Sequence, residues 1–430
     1  MLPSYSQLAV LNRPDYFLWA TGIEDSFVTA SWPQNGRIMD EYELTQHYER
    51  WEADLELMAS LGVHAARYGI PWPRMNPAPN VWDWDWSERA LERLLELGID
   101  PIVDLVHYGV PEWMENAWLH PDFANHMADY SARLAERFQG RIQWWTPLNE
   151  PRITAWNCGK LGWWPPYLKG WRGFVKVTLA LCRGIVQTGQ ALRAVDPENV
   201  LAHVDATNCW LPPIPEDEQM LALTQFRRDL MFLALDLVSG RVNEEHSLWH
   251  WLLQKGASEE SLIWFQEHNV ELDVIGINLY PMLSQKQFVR GASGRVRIRF
   301  PYGNADMVEE IATAYWERYH RPMFIAETAG RGTVARRLQW LNQSVNGVRR
   351  VRERGVPLVG YTWWPMFDLV AWGYQQGSAP LASYIVPMGL WGLDVNSLDR
   401  VSTPLVEAYQ GLVQDGATSV ALLNSSYAFE

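Results

Sequence analysis

The stretch Gln143-Trp144-Trp145-Thr146-Pro147-Leu148-Asn149-Glu150-Pro151 decides how the chain is read. A short aromatic, β-favouring run leads into an amide, a carboxylate and a proline. Proline cannot donate to a sheet ladder, so the strand must stop there. A carboxylate set straight after an apolar run is costly to bury unless it is paired or hydrogen-bonded. The same construction recurs at Pro322-Met323-Phe324-Ile325-Ala326-Glu327-Thr328. One such Glu alone reads as a structural ion-pair member. Two of them, with Arg67 and His107 at the ends of comparable runs, point to chemistry.

Working outward, eight short β-rich runs alternate with longer segments of helical period. The strands are expected at 16–21, 64–68, 101–107, 143–147, 199–205, 272–278, 322–326 and 358–363. Between the first two, Leu44, Tyr48, Trp51, Leu55 and Met58 recur every three or four residues, and Gly62 closes the helix. Ser87 is expected to cap a helix carrying Leu91, Leu94 and Leu95. Phe123, Met127, Tyr130, Leu134 and Phe138 mark a third, with later ones near 172–194, 219–238, 305–319 and 333–354. This alternation predicts a parallel sheet with crossover helices. Eight strand–helix pairs make a single α/β (β/α)8 TIM barrel with loop insertions over 1–430 the first choice, with 415–430 as a loosely packed tail. A doubly wound open sheet is the runner-up, but no Gly-rich dinucleotide fingerprint follows the first strand. The basic stretch 285–299, with Lys286, Arg290, Arg295, Arg297 and Arg299, reads as a solvated loop.

Composition narrows the function. A net charge of −14 argues against a nucleic-acid partner, which needs clustered cations. Three cysteines supply no disulfide framework. No basic-then-apolar leader opens the chain and no run is long enough to span a bilayer, so a cytoplasmic protein without a membrane partner is expected. The 25 tryptophans among 430 residues are mostly core. Those at strand ends, such as Trp363 and Trp364, offer flat apolar faces suited to the C–H faces of sugars.

In a barrel of this kind the site lies at the C-terminal ends of the strands. Those ends carry Arg67-Tyr68, His107-Tyr108, Asn149-Glu150, Asn278-Leu279-Tyr280, Glu327-Thr328 and Trp363-Trp364. Over about 17–409 the chain resembles glycoside hydrolase family 1. The likeness rests on Phe17-Leu18-Trp19, Gly69-Ile70-Pro71-Trp72-Pro73-Arg74, His107-Tyr108-Gly109-Val110-Pro111, Trp118-Leu119-His120-Pro121 and Asn149-Glu150-Pro151. It continues through Gly276-Ile277-Asn278-Leu279-Tyr280, Glu327-Thr328, Trp364-Pro365-Met366-Phe367-Asp368 and Trp372-Gly373-Tyr374.

The resemblance implies a retaining β-glycosidase, probing small carbohydrate or glycoside substrates from the exo side: β-glucosides, β-galactosides or β-fucosides. Glu150 is then the general acid/base and Glu327 the nucleophile, with carboxyls about 5–5.5 Å apart. Arg67 and Tyr280 favour an ionised Glu327, which leaves Glu150 as the protonated partner. Asn149 contacts the sugar 2-hydroxyl and His107 the 3-hydroxyl, while Trp364 forms the floor. The chain departs from the family where a Gln usually grips the sugar (here Glu24-Asp25), at Tyr108 in place of Trp, at Ala371 in place of a Glu, and at Thr328, which no Asn follows. Glu24 and Trp372 are the candidate replacement contacts. An endo-acting retaining β-glycanase and a non-catalytic carbohydrate-binding barrel are the alternatives. No cofactor or metal is expected, because His47, His107, His120, His126 and His203 show no zinc-ligand spacing. His203 and Asp205 either line the site or pair within the barrel. The sequence assigns no oligomeric state.

Overall fold

A computed structural model of the chain describes residues 2–29, 35–417 and 420. Most of the expected tail therefore lies outside the described residues. The eight runs form β1 (Leu18–Gly22), β2 (Ala65–Gly69), β3 (Asp100–Asp104), β4 (Trp144–Thr146), β5 (Val200–Ala206), β6 (Val274–Asn278), β7 (Met323–Thr328) and β8 (Leu358–Trp363). Each pairs in parallel with the next, and β8 returns to β1, so the sheet closes into the expected barrel.

Among the described residues, eight helices of twelve residues or more cover its outside: α1 (His47–Ser60), α2 (Asp85–Glu96), α3 (Phe123–Arg137), α4 (Gly170–Val195), α5 (Glu218–Val238), α6 (Ala305–Tyr319), α7 (Val334–Glu353) and α8 (Pro404–Asp415). Several starts are held by side chains that accept a backbone N–H: Asp217 from Met220, Thr333 from Arg336 and Thr403 from Leu405. Ser87 is not such a cap. α2 begins two residues earlier, with Asp85 in the first turn, and Ser87 is buried within the helix. Among the described residues no helix is long and apolar enough to cross a membrane.

The stretch 285–299 is not a loop. Gln285–Arg290 and Val296–Arg299 pair as an antiparallel hairpin, and its first strand also pairs with Cys209–Trp210. The reason is legible afterwards: Phe288, Val296 and Ile298 have strong strand preference and alternate with polar residues.

Strand side chains alternate between two cores. Leu18, Ala20, Ile102, Trp144, Val204, Phe324 and Ala326 fill the barrel interior. The residues between them, Trp19, Tyr68, Val103, Trp145, Leu201 and Ile325, pack outward against the helices. His203 and Asp205 share this outward phase. They lie 3.7 Å apart, and Asp205 acts electrostatically on Cys182 of α4 and Tyr315 of α6. They face the helical layer, away from the site.

Phe324 is 1% exposed, with its ring 6.4 Å from that of Trp144 inside the barrel. Phe324→Ala is expected to cost about 3–5 kcal/mol, read from the urea unfolding midpoint at unchanged m-value.

Candidate active site

Glu150 sits where β4 turns into the short helix Pro151–Ala155. Its backbone is left-handed, at φ 46° and ψ 62°, a conformation that costs a non-glycine residue roughly 1–3 kcal/mol. Neighbouring strand ends hold it there. Asn149 donates its backbone N–H to Val106 at 2.9 Å, and Glu150 donates to Val204 at 3.1 Å. The turn swings the carboxyl over the mouth of the barrel.

Glu327 reaches the same mouth by another route. Strict alternation along β7 would place Phe324, Ala326 and Thr328 inward and Glu327 outward. The pairing with β6 slips between Ile325 and Glu327, so that Glu327 aligns with Asn278. The irregularity re-phases the strand end. Glu327 turns into the cavity, while Thr328 turns out and accepts a 2.9 Å bond from Trp340 of α7.

Arg67, on β2 and fully buried, connects these elements. Its guanidinium donates to Glu327 Oε1 and to Asp104 Oδ2, and to Asn149 Oδ1 at 2.7 Å. Its plane also lies 4.8 Å from the Trp364 ring. Burial works against the charge, but Asp104 and Glu327 more than offset it and raise the guanidinium above its ordinary range. Tyr280 donates a second bond to Glu327, at Oε2, 2.8 Å away.

Glu150 sees only neutral donors. Tyr108 donates to Oε2 and Asn278 to Oε1 at 2.9 Å. Burial, followed by the charge of Glu327, pushes its pKa up to about 7; the two donors pull the other way. One glutamate is therefore clamped by a guanidinium and a phenol, and the other keeps its proton to neutral pH. That split is how a pair of carboxyls divides acid and nucleophile roles.

Beyond Glu327 lies a pocket of polar side chains. His107 Nδ1 is 2.6 Å from Asp25 and 3.3 Å from Asp104. Burial opposes a charge on the ring, but the two aspartates outweigh it and raise its pKa well above the ordinary value. Asn149 Nδ2 is 2.8 Å from Nε2, and its amide orientation is set because Oδ1 accepts from Arg67 and Asn278. A doubly protonated ring would set two donors against each other at Nε2. The Nδ1 proton faces the aspartates, and Nε2 accepts from the Asn149 amide. Gly69 makes the room: a Cβ there would fall 1.5 Å from Asp25 Oδ2. Glu24 accepts from Ser26 Oγ at 2.6 Å and Trp364 Nε1 at 3.1 Å, and Trp372 Nε1 donates to Ser26 Oγ at 3.2 Å.

Of the residues expected from sequence, Glu24, His107, Glu150, Tyr280, Glu327 and Trp372 share one cavity of about 370 Å³, which Ala371 also lines. Arg67, Asn149 and Trp364 sit behind its wall. Trp364 is 0% exposed; it stacks at 15° on His107 with centroids 5.9 Å apart and presses on Gly22, where a Cβ would come within 2.3 Å of its ring. It supports the pocket from beneath and is not an open floor. A larger groove of about 690 Å³ between α1, α2 and α3 is lined by mutually paired charges and holds no strand-end residue. Sequence reasoning missed Asp104 as part of the site, and it placed Asp25, Tyr108 and Asn278 near the site without giving them a role. Asp104 closes an apolar strand as Glu327 does, and that signal was there to be read. Two groups, Asp25–Asp104–His107 and His120–Asp122–His126, bring three potential metal ligands together. In the first, Asp104 already accepts from Arg67 and Asp25 faces His107 Nδ1, and the second lies nearer the surface.

A (β/α)8 barrel with two glutamates facing one cavity from the ends of β4 and β7, one clamped by Arg and one with a raised pKa, has the make-up of the two-carboxylate carbohydrate-active barrels. The sequence profile of glycosyl hydrolase family 1 matches residues 21–287. The chain belongs to that family and is a glycoside hydrolase. It is 26% identical over 358 residues to β-glucosidase A of Thermotoga maritima, covering 77% of this chain and 80% of that protein. It is 41% identical over 118 residues to a bifunctional β-D-glucosidase/β-D-fucosidase of Bifidobacterium breve, covering 25% and 26%. Among solved structures, the Thermotoga maritima family 1 β-glucosidase in complex with glucoimidazole superposes with a TM-score of 0.81 at 22% identity, over 94% of this chain and 99% of that one.

Two outcomes test the electrostatics. Tyr108→Phe removes a donor that lowers the Glu150 pKa, so the alkaline limb of the kcat/KM profile is expected to move to higher pH. Glu150 has its folded pKa raised above the unfolded value. Its contribution to stability is whole below about pH 4.5 and is lost as pH rises through about 7, a loss on the order of 3 kcal/mol. Glu150→Gln avoids that loss, so its melting temperature relative to wild type should be more favourable at pH 8 than at pH 5. A constant difference across that range would remove the raised pKa.

Proposed function

We propose that this glycoside hydrolase is an exo-acting retaining β-glycosidase that takes β-glucosides, β-galactosides or β-fucosides. The observation that carries the reading is the asymmetry of the two glutamates facing one cavity, Glu327 in the grip of Arg67 and Tyr280 and Glu150 near pH 7.

In the first step Glu327 attacks the anomeric carbon, and the C–O bond to the leaving group breaks. Glu150 gives its proton to the departing oxygen. A covalent glycosyl ester forms on Glu327, whose negative charge is gone. The charge that raised the Glu150 pKa disappears with it, and Glu150, now ionised, is suited to take a proton from water. Water adds to the anomeric carbon, Glu327 leaves as carboxylate, and Glu150 recovers its proton. Arg67 and Asp104 keep Glu327 in place throughout. His107 meets the 3-hydroxyl; Asn149, expected at the 2-hydroxyl, is buried behind the cavity wall with its amide bonded to Arg67, Asn278 and His107, and it orients that ring instead. Glu24 and Trp372 take the far edge of the sugar, where Ala371 offers no polar atom. The activities named for the Thermotoga and Bifidobacterium relatives support a gluco or fuco configuration. A cavity ringed by Trp372, Tyr280 and Leu369 suits one terminal sugar.

Glu327→Ala is expected to lower kcat on nitrophenyl glycosides by about four orders of magnitude or more, with azide restoring turnover to a product of inverted configuration. Glu150→Ala should cost about 10²–10⁴-fold on poor leaving groups and far less on activated aryl ones. A panel of gluco, galacto, fuco, manno and xylo substrates with matching polymers separates the readings. Cleavage of polymers alone would mean an endo enzyme. No turnover together with tight sugar binding would mean a binding barrel.

A further inference from the structure

The cavity continues past Glu150, and there its chemistry changes sign. Arg152, two residues after Glu150, and Lys286, on the hairpin Gln285–Arg290, line both the catalytic cavity and an adjoining one of about 200 Å³. Arg227 of α5 lines the second, with Trp210 and Phe300 among its walls. Three cations from three separate elements thus converge in a protein whose net charge is −14.

Among the described residues none of the three forms an ion pair. Arg152 donates to the backbone oxygen of Ala206 at 2.6 Å. Arg227 lies 5.2 Å from the rings of Trp156 and Trp171. Lys286 lies 5.9 Å from Trp210 and 5.8 Å from Phe300. The buried Nε atoms of Arg152 and Arg227 and Nε1 of Trp210 have no hydrogen-bond partner, although such groups are nearly always satisfied. Burial and then the charges of Arg152 and Arg227 press the Lys286 pKa down to about 7, and the one carboxylate that acts on it is Glu150. Burial and then Arg152 lower Arg227 to about 10.

Packing of cations on aromatic rings explains why Trp and Phe surround them. It does not offset the repulsion among three like charges, and it leaves the unpartnered N–H groups unexplained. An anion does both. The proton donor must lie over the departing oxygen, so groups on its far side meet the leaving group. We propose that the substrate's leaving group carries an anionic oxyacid, a carboxylate or a phosphate monoester, seated among Arg152, Arg227 and Lys286. This rests on the glycosidase reading above. Binding such a group also returns a proton to Lys286, since an adjacent negative charge favours the ammonium form.

The test compares three aryl β-glucosides that differ only in a para substituent: carboxymethyl, its neutral methyl ester and phosphonomethyl. Wild type is expected to prefer the anionic members by about tenfold or more in kcat/KM, the worth of one charged hydrogen bond. Which anion leads distinguishes carboxylate from phosphate. The preference should fall close to one in Arg227→Gln and in Lys286→Gln and persist in Arg227→Lys, with thermal melts confirming folding. Equal rates on acid and ester in wild type, or a preference surviving in both neutral variants, overturns the proposal. If wild type turns over none of the three, glycoside hydrolysis itself has failed. Calorimetry with 4-hydroxyphenylacetate then decides the anion site separately: proton uptake and binding that Arg227→Gln abolishes support it, and no binding to wild type removes it.

Discussion

The site depends on one buried guanidinium. Arg67 is fully enclosed by protein, and a charge in that position stands only if its partners stand with it. Its fork reaches Asp104 on β3, Asn149 at the end of β4 and Glu327 on β7, so a single side chain from β2 ties together the strand ends that carry both glutamates. Take it away and two carboxylates lose their counter-charge, Asn149 loses the partner that orients its amide, and Trp364 loses the cation on its face. The barrel interior beneath is apolar and tightly filled, which leaves the polar groups no alternative partners lower down.

Around that anchor the cavity is electrically graded. At one end Glu24, Asp25 and Asp104 crowd His107, and burial with neighbouring charge pushes Asp25 up to about 7. At the other, Arg152, Arg227 and Lys286 form no ion pair among the described residues. Glu150 lies between. The Glu327 charge and burial hold its proton on, while Lys286 feels its carboxylate from the far side. On the proposed reading, a proton donor in this position has the sugar on its acidic side and the departing group on its basic side.

Much of this was legible in the sequence. Alternating β-rich runs and helical periods set the number of strands and helices, because hydrophobic periodicity follows from backbone geometry alone. Asn149-Glu150-Pro151 and the run ending in Glu327 marked the two carboxylates, because an acid closing an apolar strand demands a reason. The loop reading of 285–299 went wrong because five basic residues outweighed the β-branched ones between them. The strand stops and the start of α2 shifted by a few residues, since ends depend on which backbone groups find partners. Trp364 was expected to form the floor under the sugar, yet it is buried against Arg67, His107 and Gly22.

By itself the sequence determined the barrel, the glutamate pair and the family, all of which follow from local pattern and the order of motifs. Only the tertiary structure decided which way the β7 irregularity turns Glu327, that Asp104 and Asp25 join the site, that His203 and Asp205 face the helices, and that Arg152, Arg227 and Lys286 meet. The reason is distance. These residues come from strands, a helix and a hairpin far apart in the chain, and their charges act on one another only when folding removes the water between them.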